Sequence, residues 1–180
     1  MTFSEAKDAV SSVAVRGSEI FAGSVDGRVR VYDLAMGVLE MDVVAPGTGV
    51  TSVMPSRDGE GYLASSLDSC ARFMDRGTGK CLQTFRDEEE GGFRNETYRV
   101  RSCFAMGDGI AVSGSENGKV VVWDVLSGEV VRRLWHREEG ERGGETTKRD
   151  VVSAVAWNPF RKMWASAGGD GTVVVWGNEE

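Results

Sequence analysis

Histidine and cysteine are scarce in this sequence, which has one histidine and three cysteines among 180 residues. A zinc site needs several Cys and His ligands close together, and no such cluster is present, so we expect no metal site. The cysteines stand apart as Cys70, Cys81 and Cys103 and form no Cys-x-x-Cys pair. Their odd number and wide spacing predict reduced thiols in an intracellular protein.

Long apolar runs and an excess of basic residues are also absent. No apolar stretch reaches the roughly 18 residues that a membrane-spanning helix needs, so no membrane span is expected. The N-terminal MTFSEAKDAV has neither the basic start nor the apolar centre of a secretory signal. A net charge of −7 and an isoelectric point near 4.9 argue against a broad basic surface that holds nucleic acid directly.

Catalytic patterns are missing as well. A Ser-His-Asp arrangement would have to use His136, which lies in a charged stretch and is expected to be exposed. The Gly-rich SAGGDGTV at 166–173 lacks the Gly-Lys-Ser/Thr of a phosphate-binding loop and opens no helix. We therefore predict no catalytic residue, no cofactor and no small-molecule substrate, which means that the protein is not an enzyme.

Glycine is abundant, with 24 residues, and proline is scarce, with 3, which suits many tight turns between strands. One twelve-residue pattern occurs four times: AGSVDGRVRVYD, ASSLDSCARFMD, SGSENGKVVVWD and SAGGDGTVVVWG. The copies begin at Ala22, Ala64, Ser113 and Ser166. Each has a turn residue in the middle, and these are Asp26, Asp68, Asn117 and Asp170. Each has a large side chain near its end, and these are Tyr32, Met74, Trp123 and Trp176.

These copies are spaced like the blades of a β-propeller. The intervals between their large residues are 42, 49 and 53, and a propeller repeat of the WD40 type has about 40–45 residues. Each copy reads as a hairpin, with an alternating apolar run before it and a shorter run after it. The sequence thus predicts an all-β protein of four four-stranded blades. Their approximate bounds are 4–43, 46–85, 96–135 and 147–177.

Two charged stretches, 86–97 and 136–150, separate consecutive repeats and account for the two longer intervals. Glycine, glutamate and arginine dominate them, so we expect solvated, mobile loops on the same rim as the hairpin turns. The acidic run at 87–90 is either plain loop or a site for a basic partner. The aspartates of the hairpins are expected to cap their own turns by accepting hydrogen bonds from backbone N–H groups.

The four repeats resemble the WD40 family over nearly the whole chain. DAVSSV at 8–13, EIFAGSVDGRVRVYDLAMG at 19–37 and the RDG and SSLDS segments within 57–69 further resemble the C-terminal half of the WD-repeat mitogen-activated protein kinase organiser family. That resemblance implies a seven-bladed propeller that acts as a scaffold for kinase-cascade proteins and also occurs in the splicing machinery. It further implies a cytoplasmic and nuclear location.

The resemblance also predicts buried polar sets that hold the blades together. In regular WD40 blades, a Ser or Thr, a His, an Asp and the Trp form one hydrogen-bonded group. Here Ser113 with Trp123, and Ser166 with Trp176, match parts of it. The first two repeats have Ala22 and Ala64 at the serine position, and the Gly-His dipeptide is missing throughout. His136 follows the last strand of the third repeat, and it is either a displaced equivalent of that histidine or, as we expect for such a loop, exposed. We therefore expect incomplete sets, with blades held by apolar packing instead.

Four repeats are fewer than the seven that the resemblance implies. We expect a fragment of a seven-bladed ring, and the alternatives are a four-bladed ring or an open arc that pairs with another chain. An open arc leaves apolar faces and strand edges uncovered, so we expect this chain alone to be oligomeric or poorly soluble.

Two functions fit a non-catalytic propeller of this kind. The first is a protein-interaction scaffold, whose candidate partner-binding rim is formed by the residues just before the turn residues: Val25, Leu67, Glu116 and Gly169. The second is a substrate receptor of a cullin-type ubiquitin ligase. Such receptors resemble one another in a Trp-Asp-x-Arg box, whereas Leu126 follows Trp123 and Asp124 here at the arginine position. The absence of this box favours the scaffold.

Overall fold

The computed structural model describes residues 2–89, 91–137 and 147–177, and every helix or strand within them is a β-strand. Fifteen strands follow one another in four groups. The first blade comprises β1 (Val10–Arg16), β2 (Glu19–Ser24), β3 (Arg28–Asp33) and β4 (Val38–Val43). The second comprises β5 (Val50–Pro55), β6 (Gly61–Ser66), β7 (Cys70–Asp75) and β8 (Cys81–Phe85). The third comprises β9 (Ser102–Ala105), β10 (Ile110–Gly114), β11 (Lys119–Asp124) and β12 (Val130–Trp135), and the fourth β13 (Val152–Asn158), β14 (Met163–Gly168) and β15 (Val173–Trp176).

Each group forms its own antiparallel sheet, in which strands are ordered as in the sequence. Three sheets have four strands, and the fourth has three within the described residues. The prediction of an all-β, four-bladed propeller is confirmed. Successive side chains of a strand point to opposite faces of the sheet, so the apolar strands of the middle blades can bury both faces against neighbouring blades. No helix long and apolar enough to span a membrane occurs among the described residues.

Consecutive blades pack through their first strands, β1 on β5, β5 on β9 and β9 on β13. These strands therefore line the inside of the propeller. Between the blades lie three apolar clusters, and the largest surrounds Trp123, which is 0% exposed. Among the described residues, the strands of the first blade do not pack against those of the fourth blade in the way that consecutive blades pack.

The hairpins of the four repeats have the same register. The first residue of each twelve-residue pattern pairs with the ninth: Ala22 with Arg30, Ala64 with Arg72, Ser113 with Val121, and Ser166 with Val174. The residue after each turn Asp or Asn has positive φ, and glycine occupies three of these places, at Gly27, Gly118 and Gly171. The fourth is Ser69, at φ 55°. The repeated sequence pattern is thus a repeated backbone geometry.

Candidate partner-binding rim and its buried polar sets

The four residues of the candidate rim occupy equivalent places. Three of them donate their backbone N–H to the carbonyl just before the first strand of their own blade: Val25 N to Ala9 O (3.0 Å), Leu67 N to Gly49 O (2.9 Å) and Gly169 N to Val151 O (2.7 Å). Glu116 instead donates its N–H to Arg94 O (2.9 Å), in the stretch 86–97. Three turns are thus fixed to the inner edge of their blade, and the turn of the third blade is fixed to that stretch. The rim is therefore a rigid feature of the fold.

The rim side chains differ in what they offer to a partner. Val25 and Leu67 are half-buried and lie on either side of Gly49, where an added Cβ would come within 3.6 Å of both side chains. Gly169 is exposed and has no side chain. Glu116 is only 2% exposed, and its carboxylate is occupied inside the protein. The two apolar side chains are thus the part of the rim that is available for contact.

Glu116 orders the chain that leads into the third blade. Its Oε1 accepts hydrogen bonds from the backbone N–H groups of Glu96 (2.8 Å), Thr97 (2.6 Å) and Tyr98 (2.7 Å). A carboxylate that accepts three backbone bonds acts like the cap of a helix N-terminus. This residue therefore serves the fold at the rim.

A complete polar set occurs in the fourth blade, and it corrects the expectation that His136 is exposed. His136 is 6% exposed, and its Nδ1 lies 2.8 Å from Ser166 Oγ. The indole Nε1–H of Trp176 donates to the same hydroxyl oxygen at 2.9 Å. On the other side of the ring, His136 Nε2 lies 3.0 Å from Thr172 Oγ1 and 3.7 Å from Asp170 Oδ1. The histidine belongs to the blade set because the chain turns inward directly after β12.

Donor and acceptor roles in this set follow from the chemistry of the groups. An indole N–H only donates, so Ser166 Oγ accepts from Trp176, and His136 Nδ1 is the second partner of this hydroxyl at 2.8 Å. The Nε2–H then donates to Thr172 Oγ1, and the threonine hydroxyl donates to Asp170 Oδ1 at 2.9 Å. Burial raises the pKa of the Asp170 carboxyl, but hydrogen bonds from the Thr172 backbone and hydroxyl and the charges of His136 and Arg137 outweigh it, so the pKa is lowered.

This set brings Ser166, His136 and Asp170 together, as a hydrolytic triad does, but the serine is not placed for attack. Ser166 is 1% exposed, and its oxygen already accepts a bond from Trp176. A nucleophile must reach its substrate with a free lone pair and with an oriented base. The geometry is that of a buried structural network.

Arginines replace this set in the first two blades. In the first blade, Arg30 is 1% exposed, and its guanidinium donates to Asp26 through Nη2 (2.7 Å) and Nη1 (3.2 Å). These bonds are the main reason that the pKa of Asp26 falls to about 2. In the second blade, Arg72 Nη1 donates to Ser66 Oγ at 2.7 Å and both of its Nη atoms bond Asp68. Burial raises the pKa of Asp68, but bonds from Arg72 and Ser66 lower it on balance.

The sequence reasoning missed these arginines, although the repeats contain the signal. The first residue of each hairpin pattern faces the ninth across the strand pair. Repeats with alanine at the first place have arginine at the ninth, as in Ala22 with Arg30, and repeats with serine have valine, as in Ser166 with Val174. Alanine leaves the space that a guanidinium needs, and the turn aspartate lies four residues before the arginine. This paired change could have been read from the four aligned copies.

The third blade uses a different arrangement. Trp123 donates its indole N–H to the backbone carbonyl of Arg86 at 2.9 Å, and Ser113 bonds the carbonyl of Gly114. The amide of Asn117 donates to Gly91 O at 2.7 Å and also to Gly92 O. Asn117 therefore binds the incoming loop, whereas Asp26 and Asp170 accept bonds from N–H groups two residues further along, at Arg28 and Thr172.

The stretch 86–97 is more ordered than its composition predicts. The expectation of a solvated loop is wrong at Phe93 and Asn95, which are 5% and 0% exposed. The Phe93 ring packs edge-on against Trp123, with centroids 5.1 Å apart. Asn95 Nδ2 donates to Thr51 Oγ1 at 3.0 Å and to Ser66 O at 3.1 Å. The loop thus joins the second and third blades. Of the other charged stretch, 136–150, residues 138–146 lie outside the described residues.

The three cysteines are free thiols, and two of them are buried. Cys70 and Cys103 are buried free thiols, and burial raises the pKa of both, to about 12 for Cys103. Within the described ranges, no group of three or more His, Cys, Asp or Glu side chains is placed to hold a metal ion.

Comparison with known families and proteins agrees with this geometry. The family model described as WD domain, G-beta repeat, matches residues 1–33 and 143–177. The chain is 39% identical over 178 residues to the WD repeat domain-containing protein 83 of Rattus norvegicus, which covers 99% of this chain and 50% of that protein. It is 29% identical over 164 residues to the Autophagy-related protein 16 of Arabidopsis thaliana, covering 91% of this chain and 30% of that protein. The chain thus spans about half the length, or less, of the curated relatives it matches.

Two of the solved structures with the same fold are computationally designed proteins. The designed Ika4 protein superposes with a TM-score of 0.72 at 22% identity, over 97% of this chain and 94% of that one. The designed Ika8 protein superposes with a TM-score of 0.69 at 23% identity, over 93% of this chain and 45% of that one. These likenesses concern the fold alone.

Proposed function

We propose that this chain, which belongs to the WD40-repeat family, acts as a non-catalytic protein-interaction scaffold. The observation that carries the proposal is the rim, where four equivalent turns are each fixed by a backbone bond, three of them to the residue just before the first strand of the blade. Rigid turns of this kind hold exposed side chains in place at little entropic cost on binding. Val25 and Leu67, half-buried and side by side, are the apolar contacts that we assign to a partner.

The partners that we propose are protein components of kinase cascades or of the splicing machinery, in the cytoplasm and nucleus. The support is the resemblance of segments 8–13, 19–37 and 57–69 to the mitogen-activated protein kinase organiser family, together with the 39% identity to the rat WD repeat protein. A propeller presents several turns at once, so one chain has room for more than one partner. No direct contact with nucleic acid is proposed, since the net charge is −7.

Affinity capture of the tagged chain from a cell extract, followed by quantitative mass spectrometry, tests this proposal. Recovery of kinase-cascade or splicing proteins, in amounts comparable to the bait, is the expected result. Recovery of a cullin adaptor instead would overturn it and would favour the ubiquitin-ligase receptor. A bait that carries Glu in place of both Arg30 and Arg72 is a useful control, because it should unfold the first two blades and lose specific partners.

A further inference from the structure

A second concave surface lies on the face of the propeller opposite the rim. It is formed where the first and second strands of the second, third and fourth blades are joined, and we call it the turn-face groove. Its volume is about 570 Å³, and its apolar walls include Met54, Phe104, Trp157, Pro159 and Phe160. A second hollow of about 470 Å³ adjoins it and shares Trp157 and Pro159. The two hollows together form one groove across three blades.

Large apolar side chains stand exposed around this groove. Phe160 is 95% exposed, although Asn158 Oδ1 fixes its backbone by accepting its N–H at 3.0 Å. Met106, in the wall of the second hollow, is 69% exposed. The Phe160 ring stays in solvent although its turn is fixed, so the ring does not stabilise the fold by burial. Exposed apolar groups gathered at a concave site mark a binding surface.

Strained backbone gathers at the same place. Four non-glycine residues of the described chain have positive φ, and three of them, Met106, Asp108 and Lys162, line the groove at φ 51°, 68° and 50°. Asp108 is held there because its carboxylate accepts the backbone N–H of Arg57 from the neighbouring blade. Left-handed backbone at non-glycine residues costs free energy, and it concentrates at sites that bind ligands.

Positive charge surrounds the groove. Arg57 and Lys162 line it, and Arg161 lies beside them in the turn after β13. All three are exposed, and none forms a salt bridge within the part of the chain that the structure describes. Asp108 supplies the one carboxylate of the groove wall, and its bond to Arg57 N occupies one of its oxygens. Three unpaired cations stand out in a protein with a net charge of −7.

We propose that the turn-face groove binds an acidic segment of another protein that carries aromatic side chains. The aromatic rings would pack against Trp157 and Phe160, and the carboxylates would pair with Arg57 and Lys162. An anionic membrane or a nucleic acid fits less well, because the net charge of −7 repels a large anionic surface and the groove is concave. The inference extends the proposed scaffold function to a second face. It concerns three consecutive blades, the second to the fourth.

Fluorescence polarisation with labelled peptides of roughly ten residues tests the proposal. The probe has a Trp-Phe centre flanked by Asp and Glu, and the matched control peptides have Lys for every acidic residue or Ser for both aromatic residues. We expect the acidic aromatic probe to bind with a Kd below about 1 mM and each control peptide to bind at least about tenfold more weakly. Arg57→Glu with Lys162→Glu should weaken the probe at least about tenfold, and Phe160→Ser should weaken it severalfold.

Two matched protein controls test whether binding depends on the groove residues themselves or on any exposed charge or apolar side chain. Arg132→Glu changes an exposed arginine on β12, and Leu126→Ser changes a residue that is 91% exposed outside the groove. Both should bind the probe like the unchanged protein. Equal binding of the Lys peptide, unchanged binding by the groove variants, or no binding of the probe would overturn the proposal. So would tighter binding to phosphatidylserine vesicles than to the probe. None of these outcomes bears on the rim, which the capture experiment tests separately.

Discussion

Each blade satisfies the buried polar groups of its hairpin with different residues, and two facing positions separate the first two blades, with Ala and Arg, from the last two, with Ser and Val. In the fourth blade the indole N–H of Trp176 finds its acceptor inside the blade, at Ser166, whereas Trp123 of the third blade, which has a serine at the same position, donates to the carbonyl of Arg86 outside the blade. Where alanine takes the serine position, as at Ala22, a buried guanidinium occupies the space and pairs with the turn aspartate. The set of the fourth blade pairs both ring nitrogens of His136, whereas the pair of the first blade leaves the buried Arg30 Nε without a partner.

Removing the histidine ring should destabilise the fourth blade. In His136→Ala, the Ser166 and Thr172 hydroxyls lose a buried partner, so we expect the free energy of unfolding to fall by about 2 kcal/mol. Urea unfolding followed by tryptophan fluorescence measures this change. The exposed Arg132→Ala should shift the free energy by no more than about 0.5 kcal/mol. Equal midpoints for the two variants would show that His136 does not hold the blade.

The Asp26–Arg30 pair predicts a specific loss of stability in acid. The pKa of Asp26 is about 2 in the folded protein, against an ordinary value of 3.8. A lowered folded-state pKa means that the pair contributes fully above pH 4, on the order of 2 kcal/mol, and that this contribution is lost as the pH falls toward 2. Asp26→Asn should therefore be less stable than the unchanged protein at pH 7, and the difference should shrink between pH 4 and pH 2.

Unfolding curves recorded from pH 7 to pH 2 give that comparison. Glu129→Gln, at an exposed carboxylate, is the matched control and should change the free energy of unfolding by less than about 0.5 kcal/mol at each pH. A difference between Asp26→Asn and the unchanged protein that stays constant over this range would contradict the assignment.

At the scale of elements, the stretch 86–97 acts as a strap between two blades. Its composition is that of a solvated loop, but Phe93 packs on Trp123 and Asn95 bonds the second blade. Glu116 and Asn117 bind the same segment from the turn of the third blade. A few anchoring side chains thus fix a segment whose average composition is polar.

Truncating the anchor should loosen the strap. Phe93→Ala removes a buried ring, and we expect a loss of about 3 kcal/mol in the free energy of unfolding and faster proteolytic cleavage within 86–97. Phe160→Ala removes an exposed ring and should change neither measurement by much. If limited trypsin digestion cuts the two variants at the same rate, Phe93 is not the anchor.

The strands were predictable because alternating runs and turn residues repeat four times, so that each copy supports the others. The bonds made by loops were not predictable in the same way. His136 follows β12 in a stretch of charged residues, and only the inward turn of the chain brings it to Ser166, thirty residues away. Phe93 and Asn95 were missed because a composition average over 86–97 hides single anchors. Arg30 and Arg72 were readable from the aligned repeats. Arginine stands opposite alanine in the first two repeats, and valine stands opposite serine in the last two.

At the scale of the whole molecule, the two end blades differ from the middle ones. Val29, Ala71 and Val120 occupy one equivalent position on the face that meets the next blade, and each is 0% exposed. Val173 occupies that position in the fourth blade and is 68% exposed, and its neighbour Val175 is 60% exposed. On the opposite end, Val13 is 59% exposed, whereas Val53 at its position in the second blade is 5% exposed. Both end faces thus expose apolar side chains whose equivalents in the other blades are buried between blades.

These faces predict association of the chain when it is expressed alone. We expect oligomers or poor solubility, because uncovered blade faces attract one another. Val173→Glu with Val175→Lys places charges on one end face without changing the net charge, and it should shift the protein toward monomer in light scattering. Leu126→Lys, at an exposed turn, should not shift the protein toward monomer. A sharp, monodisperse monomer of the unchanged chain would contradict this prediction.

The central claim is that the rim makes this propeller a scaffold, and capture with a rim variant tests it most directly. Val25→Asp with Leu67→Asp changes the two half-buried apolar rim residues, and Leu126→Asp is the matched control on an exposed turn. Circular dichroism and urea unfolding first establish that both variants fold. We predict that recovery of kinase-cascade or splicing proteins falls to about a tenth or less with the rim variant and is unchanged with the control. Equal recovery by the folded rim variant and the unchanged chain would contradict the claim.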